Sequence, residues 1–179
     1  MKKFMGLGLI SLILAITASI FFLRSNVTYE IQPISFAEWP DSISFKPVML
    51  DLPAASDIAI MGPSFHKNTN FVEVSYIAQE ATPEIPKGTL HLFQSDSFEP
   101  FLTPLGIMKT YKAEREDVII TRTELTLSGQ PTAVDIHRNK QLSMEGVALF
   151  EINGTHVVYD WQGMTKTEAI QILEKHVKF

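Results

Sequence analysis

The sequence predicts an α+β fold: an N-terminal transmembrane helix, then one curved, mostly antiparallel sheet with a C-terminal helix packed on it. Three observations carry that expectation. Met1–Arg24 opens with two lysines and continues as an uncharged apolar run of about 20 residues, the length that spans a bilayer as a helix. Asn153-Gly154 joins two runs of β-branched and aromatic residues, as a two-residue hairpin turn requires. Thr165 and Glu168 stand at capping-box spacing ahead of an apolar stripe of helical period.

Residues 1–24 read as an uncleaved membrane anchor. A signal peptide is the competing reading. Against it, the apolar run continues through Ile20-Phe21-Phe22-Leu23 after the small-residue cluster Thr17-Ala18-Ser19, leaving no polar exit for cleavage. Lys2 and Lys3 favour a cytoplasmic N-terminus, against a weaker opposing bias from Arg24, so a single-pass protein would carry the remainder outside the cytoplasm. Residues 25–57 read as a connecting region in which Pro33, Pro40, Pro47 and Pro53 interrupt apolar clusters and allow only short helices or turns. Ser35 and Glu38 form a weak capping box there, and Trp39 is expected against the sheet edge.

The extracytoplasmic domain is residues 58–179. Ile58–Met61 reads as a short strand ended by Gly62-Pro63, with His66–Asn70 as a polar loop. Phe71–Ala78 alternates, placing Val72, Val74 and Tyr76 on one face and Phe71, Glu73, Ser75 and Ile77 on the other. Thr89–Gln94 follows a turn and forms a hairpin with that strand. Ser95–Asp117 is too long for a simple turn, and Thr103-Pro104 within it starts a short helix carrying Leu105, Met108 and Tyr111. Such a segment is either functional or a cover for an open side of the sheet. Val118–Leu127 is a strand, Ser128-Gly129-Gln130-Pro131 a turn, Thr132–Arg138 a strand and Asn139-Lys140 a turn. Short connections between about six or seven strands favour sequential antiparallel pairing.

The Asn153-Gly154 turn fixes a register. With Ile152 opposite Thr155, one face pairs Phe150 with Val157, Ala148 with Tyr159 and Gly146 with Trp161, the large ring lying over the residue without a side chain. The other face pairs Glu151 with His156, Leu149 with Val158 and Val147 with Asp160. Gly163 ends the strand, and the helix that follows presents Ala169, Ile170, Leu173 and Val177 to the sheet, with Lys175, His176 and Lys178 suiting the negative end of its dipole.

Composition excludes several functions. The chain of 179 residues has no cysteine, which removes disulfides, thiolate zinc sites, thiol nucleophiles and lipidated cysteine. Setting aside Lys2, Lys3 and Arg24 leaves 12 basic against 20 acidic residues, a poor balance for nucleic acid or anionic headgroups. No metalloprotease helix, nucleophile elbow, phosphate loop or Ca²⁺ loop occurs, so no catalytic, cofactor or metal residue is assigned. Of the five histidines, His66 and His176 read as surface residues, while His91, His137 and His156 lie on strands and would matter only if they converged. His156 opposite Glu151 makes a cross-strand ion pair.

The C-terminal third resembles a bacterial extracytoplasmic domain family of unknown function. The resemblance rests on Asn153-Gly154, Trp161, Gly163, Thr165 and the stripe Ile170, Leu173, Val177, with Leu52-Pro53 upstream. Members of that family stand behind single N-terminal membrane helices. The family is distantly similar to the lipoprotein-carrier and sigma-regulator sensor folds, which implies a curved sheet cradling helices over an apolar cavity. It supplies no catalytic residue.

The expected function is therefore a non-enzymatic, membrane-anchored binding or sensing domain in bacterial envelope regulation or assembly, with a protein partner or an apolar ligand. Its contacts would come from Phe150, Tyr159 and Trp161 and from Leu105, Met108 and Tyr111, unless the first three simply form the core. A structural subunit of an envelope complex for secretion or sporulation is the alternative. A hydrolase built from scattered His, Asp and Glu residues ranks third.

Overall fold

The computed structural model describes residues 31–33, 43–53, 58–67, 70–102 and 116–179. The elements are β1 (Ile31–Pro33), β2 (Met49–Leu50), β3 (Ile58–His66), β4 (Phe71–Ala78), β5 (Gly88–Ser95), α1 (Glu99–Leu102), β6 (Val118–Leu127), β7 (Gln130–Asn139), β8 (Glu145–Ile152), β9 (Thr155–Gln162), α2 (Lys166–His176) and β10 (Val177–Lys178). Among the described residues, eight strands form one antiparallel sheet in the order β1-β3-β4-β5-β9-β8-β7-β6, and β2 pairs with β10. The fold is α+β. Two runs of sequential hairpins, β3 to β5 and β6 to β9, meet where β5 pairs with β9. No described helix is long and apolar enough to cross a membrane, and the anchor expected over residues 1–24 lies outside the described residues.

The terminal hairpin has the register its turn dictates, with Ile152 opposite Thr155, Phe150 opposite Val157, Ala148 opposite Tyr159 and Gly146 opposite Trp161. Asn153 and Gly154 both hold positive φ, 51° and 78°, as a type I′ turn requires. At α2 the Thr165 hydroxyl accepts the Glu168 N–H at 3.3 Å, and Glu168 Oε2 accepts the Thr165 N–H at 2.7 Å. The capping box is complete.

Of the expected stripe, Ala169 and Leu173 are buried within the helix and Val177 just beyond it, while Ile170 is only partly buried and Ile172 and His176 are buried with them. The difference comes from its end. Val177 leaves the helix in an extended conformation, φ −65° and ψ 134°, to pair with Leu50 in the small sheet. His176, expected at the surface, is buried as a result, and its Nδ1–H donates to the Asp51 carbonyl at 2.9 Å.

Two strands run further than their prolines suggest. β3 continues through Gly62-Pro63 to His66 because one extra residue is accommodated between Met61 and Ser64, a bulge that takes Pro63 out of the ladder. Gly62 makes this possible: its φ is +94°, and a Cβ there would meet the Glu73 carbonyl oxygen at 2.7 Å. β7 begins at Gln130 rather than Thr132. It tolerates Pro131 because β8 pairs only with Val134 to His137, leaving the missing donor with no ladder to break.

The core fills the face of the sheet beneath α2, with Val72, Val74, Tyr76, Leu92, Val134, Phe150, Tyr159 and Trp161 among its buried side chains. The proline-punctuated stretch contributes Ile43, Phe45, Val48 and Leu50 to the same core. Side chains hold it there. The amide of fully buried Gln94 accepts the Val48 N–H at 2.6 Å and donates to the Val48 carbonyl at 2.7 Å. Tyr76 accepts the Leu50 N–H at 3.0 Å, and Thr155 donates to the Lys46 carbonyl at 2.8 Å. A buried segment outside the ladder needs such partners for its backbone.

Candidate functional site

The opposite face of the sheet carries the titratable groups. Cross-strand partners share a face, so β3 to β5 and β9 line up in register: His66 opposite Phe71, Ser75 opposite His91, and His91 opposite Asp160. Four of the five histidines, His66, His91, His137 and His156, occupy this face. Phenylalanines are interleaved with them. His66 stacks on Phe71 at 4.1 Å between ring centroids, His91 lies beside Phe93 at 5.8 Å, and Phe98 meets His156 edge-on at 4.6 Å. Phe71, Phe93, Val147 and Val158 form a second apolar cluster here with Phe101 of α1.

Glu73 is the hub. Its Oε2 accepts from His66 Nε2 at 3.2 Å, and its Oε1 accepts from the Ser75 hydroxyl at 3.2 Å. The Ser75 hydroxyl has one proton to give, to Glu73 Oε1 or to His91 Nδ1 at 2.8 Å, and the His91 tautomer decides between them. The hydrogen bond from His66 and the nearness of His91, whose Nδ1 lies 3.7 Å from Oε1, hold the Glu73 carboxyl at about 2, against the opposing effect of burial. A carboxylate that acidic is a weak base at neutral pH.

Asp160 behaves in the opposite way. Burial raises its carboxyl to about 6, with His91 and the Gln162 amide opposing that shift and Glu145 adding to it. Its native pKa lies above its unfolded value, so Asp160 favours folding fully below about pH 4, and that contribution is lost as pH rises towards about 6. Asp160→Asn is expected to stabilise the fold on the order of 1–2 kcal/mol at pH 8 and by almost nothing at pH 4. Urea unfolding at the two pH values would check this. Equal effects at both would remove the burial argument.

His91, His137 and His156, which would have mattered only by converging, do not converge. His137 stands two strands beyond Asp160, with Val147 between them, while His156 lies opposite Ser95, four residues along β5 from His91. The cluster that forms instead is His66, Glu73, Ser75 and His91. Sequence reading missed it because it ended β3 at Gly62-Pro63 and placed His66 in a loop. The signal that remained was Glu73 and Ser75 at alternating positions of one strand. His156 and Glu151 pair as expected, at 3.5 Å.

Among the described residues no group of three His, Asp or Glu side chains is placed to hold a metal ion. Protein-family models, curated proteins and solved structures were compared with the chain, and none matches.

Phe150, Tyr159 and Trp161 lie under α2 with at most 2% of their surface exposed, and the Tyr159 hydroxyl donates to the Ala169 carbonyl at 3.0 Å. Leu105, Met108 and Tyr111 lie outside the described residues. A separate cleft between residues 81–86 and α2 is crossed by an exposed Glu84–Lys175 ion pair of 3.0 Å and stands apart from the histidine face.

Proposed function

We propose that the chain is a non-enzymatic binding and sensing domain of the bacterial envelope, held outside the cytoplasm by an N-terminal transmembrane helix, and that it binds through the histidine face of a curved sheet. The observation that carries this reading is the interleaving of His66, His91 and His156 with phenylalanines and carboxylates, including an Asp160 whose charge changes near pH 6. Aromatic rings supply contact area, and the Asp160 carboxyl, raised to about 6 by burial, makes such contact responsive to acidity. The low basicity of Glu73 favours recognition over hydrolysis. An apolar ligand of a carrier-like domain, or an apolar segment of a protein partner, suits this surface.

Native mass spectrometry of the full chain, extracted from bacterial membranes in mild detergent at pH 8 and at pH 5.5, tests the reading. A lipid-sized mass retained more strongly at pH 5.5, where Asp160 is neutral, than at pH 8, and reduced at both by Phe98→Ala, supports an apolar ligand. Photocrosslinking from position 98 in cells tests for the protein partner. The proposal fails if neither method captures anything on this face.

A further inference from the structure

The two edges of the sheet are built differently. At one, β1 has three residues ending in Pro33, and the bulge at Gly62-Pro63 breaks the line of β3. These are devices that prevent edge-to-edge pairing. At the other, β6 runs ten residues without proline, lysine or bulge, pairs continuously with β7, and has no strand beyond it among the described residues. Ile119 and Ile120 stand 39% and 42% exposed on it. A long edge strand paired regularly on one side is a template for another strand.

We infer that β6 pairs with β6 of a second copy of this chain, antiparallel about a dyad through Thr123, joining the two sheets edge to edge. The backbone restricts the register. Leu127 and Gln130 flank the two-residue turn Ser128-Gly129 as its hydrogen-bonded pair, so the odd-numbered residues of β6 turn their N–H and C=O groups towards β7. Val118, Ile120, Arg122, Glu124 and Thr126 turn theirs outward. An antiparallel neighbour must match outward groups with outward groups, so allowed registers differ by steps of two residues.

Charge then selects among them. A dyad at Arg122 sets Arg122 against its own copy, and a dyad at Glu124 does the same for Glu124. A dyad at Thr123 sets Arg122 of each chain opposite Glu124 of the other and overlaps residues 119–127, nearly the whole strand. Opposite charges directly across an antiparallel pair stabilise it, and like charges there do the reverse. The same register places Ile119 opposite Leu127 and Ile120 opposite Thr126, covering the two exposed isoleucines of β6. Arg122 already leans towards Asp135 at 3.6 Å, the arginine largely exposed and the aspartate partly so, and can bridge to the incoming carboxylate. This association uses the edge and not the histidine face, so it stands independently of the proposed function.

The chain has no cysteine, which permits a position-specific test. Across a dyad at Thr123 the two Thr123 residues form a non-hydrogen-bonded pair with Cα atoms about 4.5 Å apart, within disulfide reach, while the two Thr121 residues stand roughly 14 Å apart. In the full chain in mild detergent, Thr123→Cys is expected to give a disulfide-linked dimer on mild oxidation, and Thr121→Cys to stay uncrosslinked. In sedimentation velocity, Arg122→Glu should weaken the dimer at least tenfold by facing Glu124 with a second acid. Adding Glu124→Arg should restore it. A wild-type monomer at high micromolar concentration overturns the inference. So does a dimer indifferent to Arg122→Glu, or equal crosslinking at positions 121 and 123. A different protein strand captured on β6 in place of a second copy would also overturn it.

Discussion

Gln94→Leu is expected to destabilise the fold by about 2–5 kcal/mol, although leucine nearly matches the shape of the side chain it replaces. The amide makes two short hydrogen bonds to the Val48 peptide groups from a fully buried position. Leucine would leave that N–H and C=O without partners in an apolar setting, each costing about 1–3 kcal/mol. The loss should be specific to the anchored stretch. Hydrogen exchange of residues 43–50 should quicken even where the remaining sheet stays protected. Gln94→Glu separates hydrogen bonding from shape: the carboxylate can accept the Val48 N–H but faces the Val48 carbonyl with a second acceptor. Equilibrium urea unfolding checks both variants, and a change under about 1 kcal/mol for Gln94→Leu would mean that water satisfies the Val48 groups.

The second large effect is expected at Gly146. A Cβ placed there would fall on the six-membered part of the Trp161 ring, which is fully buried and cannot swing away. Gly146→Ala should cost about 1–3 kcal/mol or somewhat more, the range for forcing volume into a packed core. Trp161→Phe removes the atoms that the new methyl would strike. The alanine penalty should therefore shrink by more than about 1 kcal/mol in the Trp161→Phe background, a coupling that a double-mutant cycle measures. Additive effects would show that Gly146 is required for another reason.

Features set by neighbouring residues were legible in the sequence. The Asn153-Gly154 turn dictated the register of β8 and β9, the Thr165 and Glu168 pair marked the start of α2, and the composition of Val118–Leu127 marked β6. Features set by distant partners were not. Pro63 and Pro131 read as strand breakers because the sequence does not reveal a bulge, or that β8 is too short to need the missing donor. Burial of Ile43 to Leu50 depends on Gln94, Tyr76 and Thr155, each remote along the chain. The cluster at Glu73 needed β3 to continue to His66, and the elevation of Asp160 needed β5 beside β9.

That last adjacency also bears on how the chain reaches its native state. β3 to β5 and β6 to β9 are each strung from hairpins that close over short loops, whereas β5 and β9 must find one another across the whole of the second run. Loop-closure entropy places that encounter late and makes it the slow, non-local step. Until it happens, Thr89–Gln94 and His156–Trp161 are raw edges rich in β-branched and aromatic residues. The seam at the centre of the finished sheet is, during synthesis, the part of the chain most exposed to wrong partners.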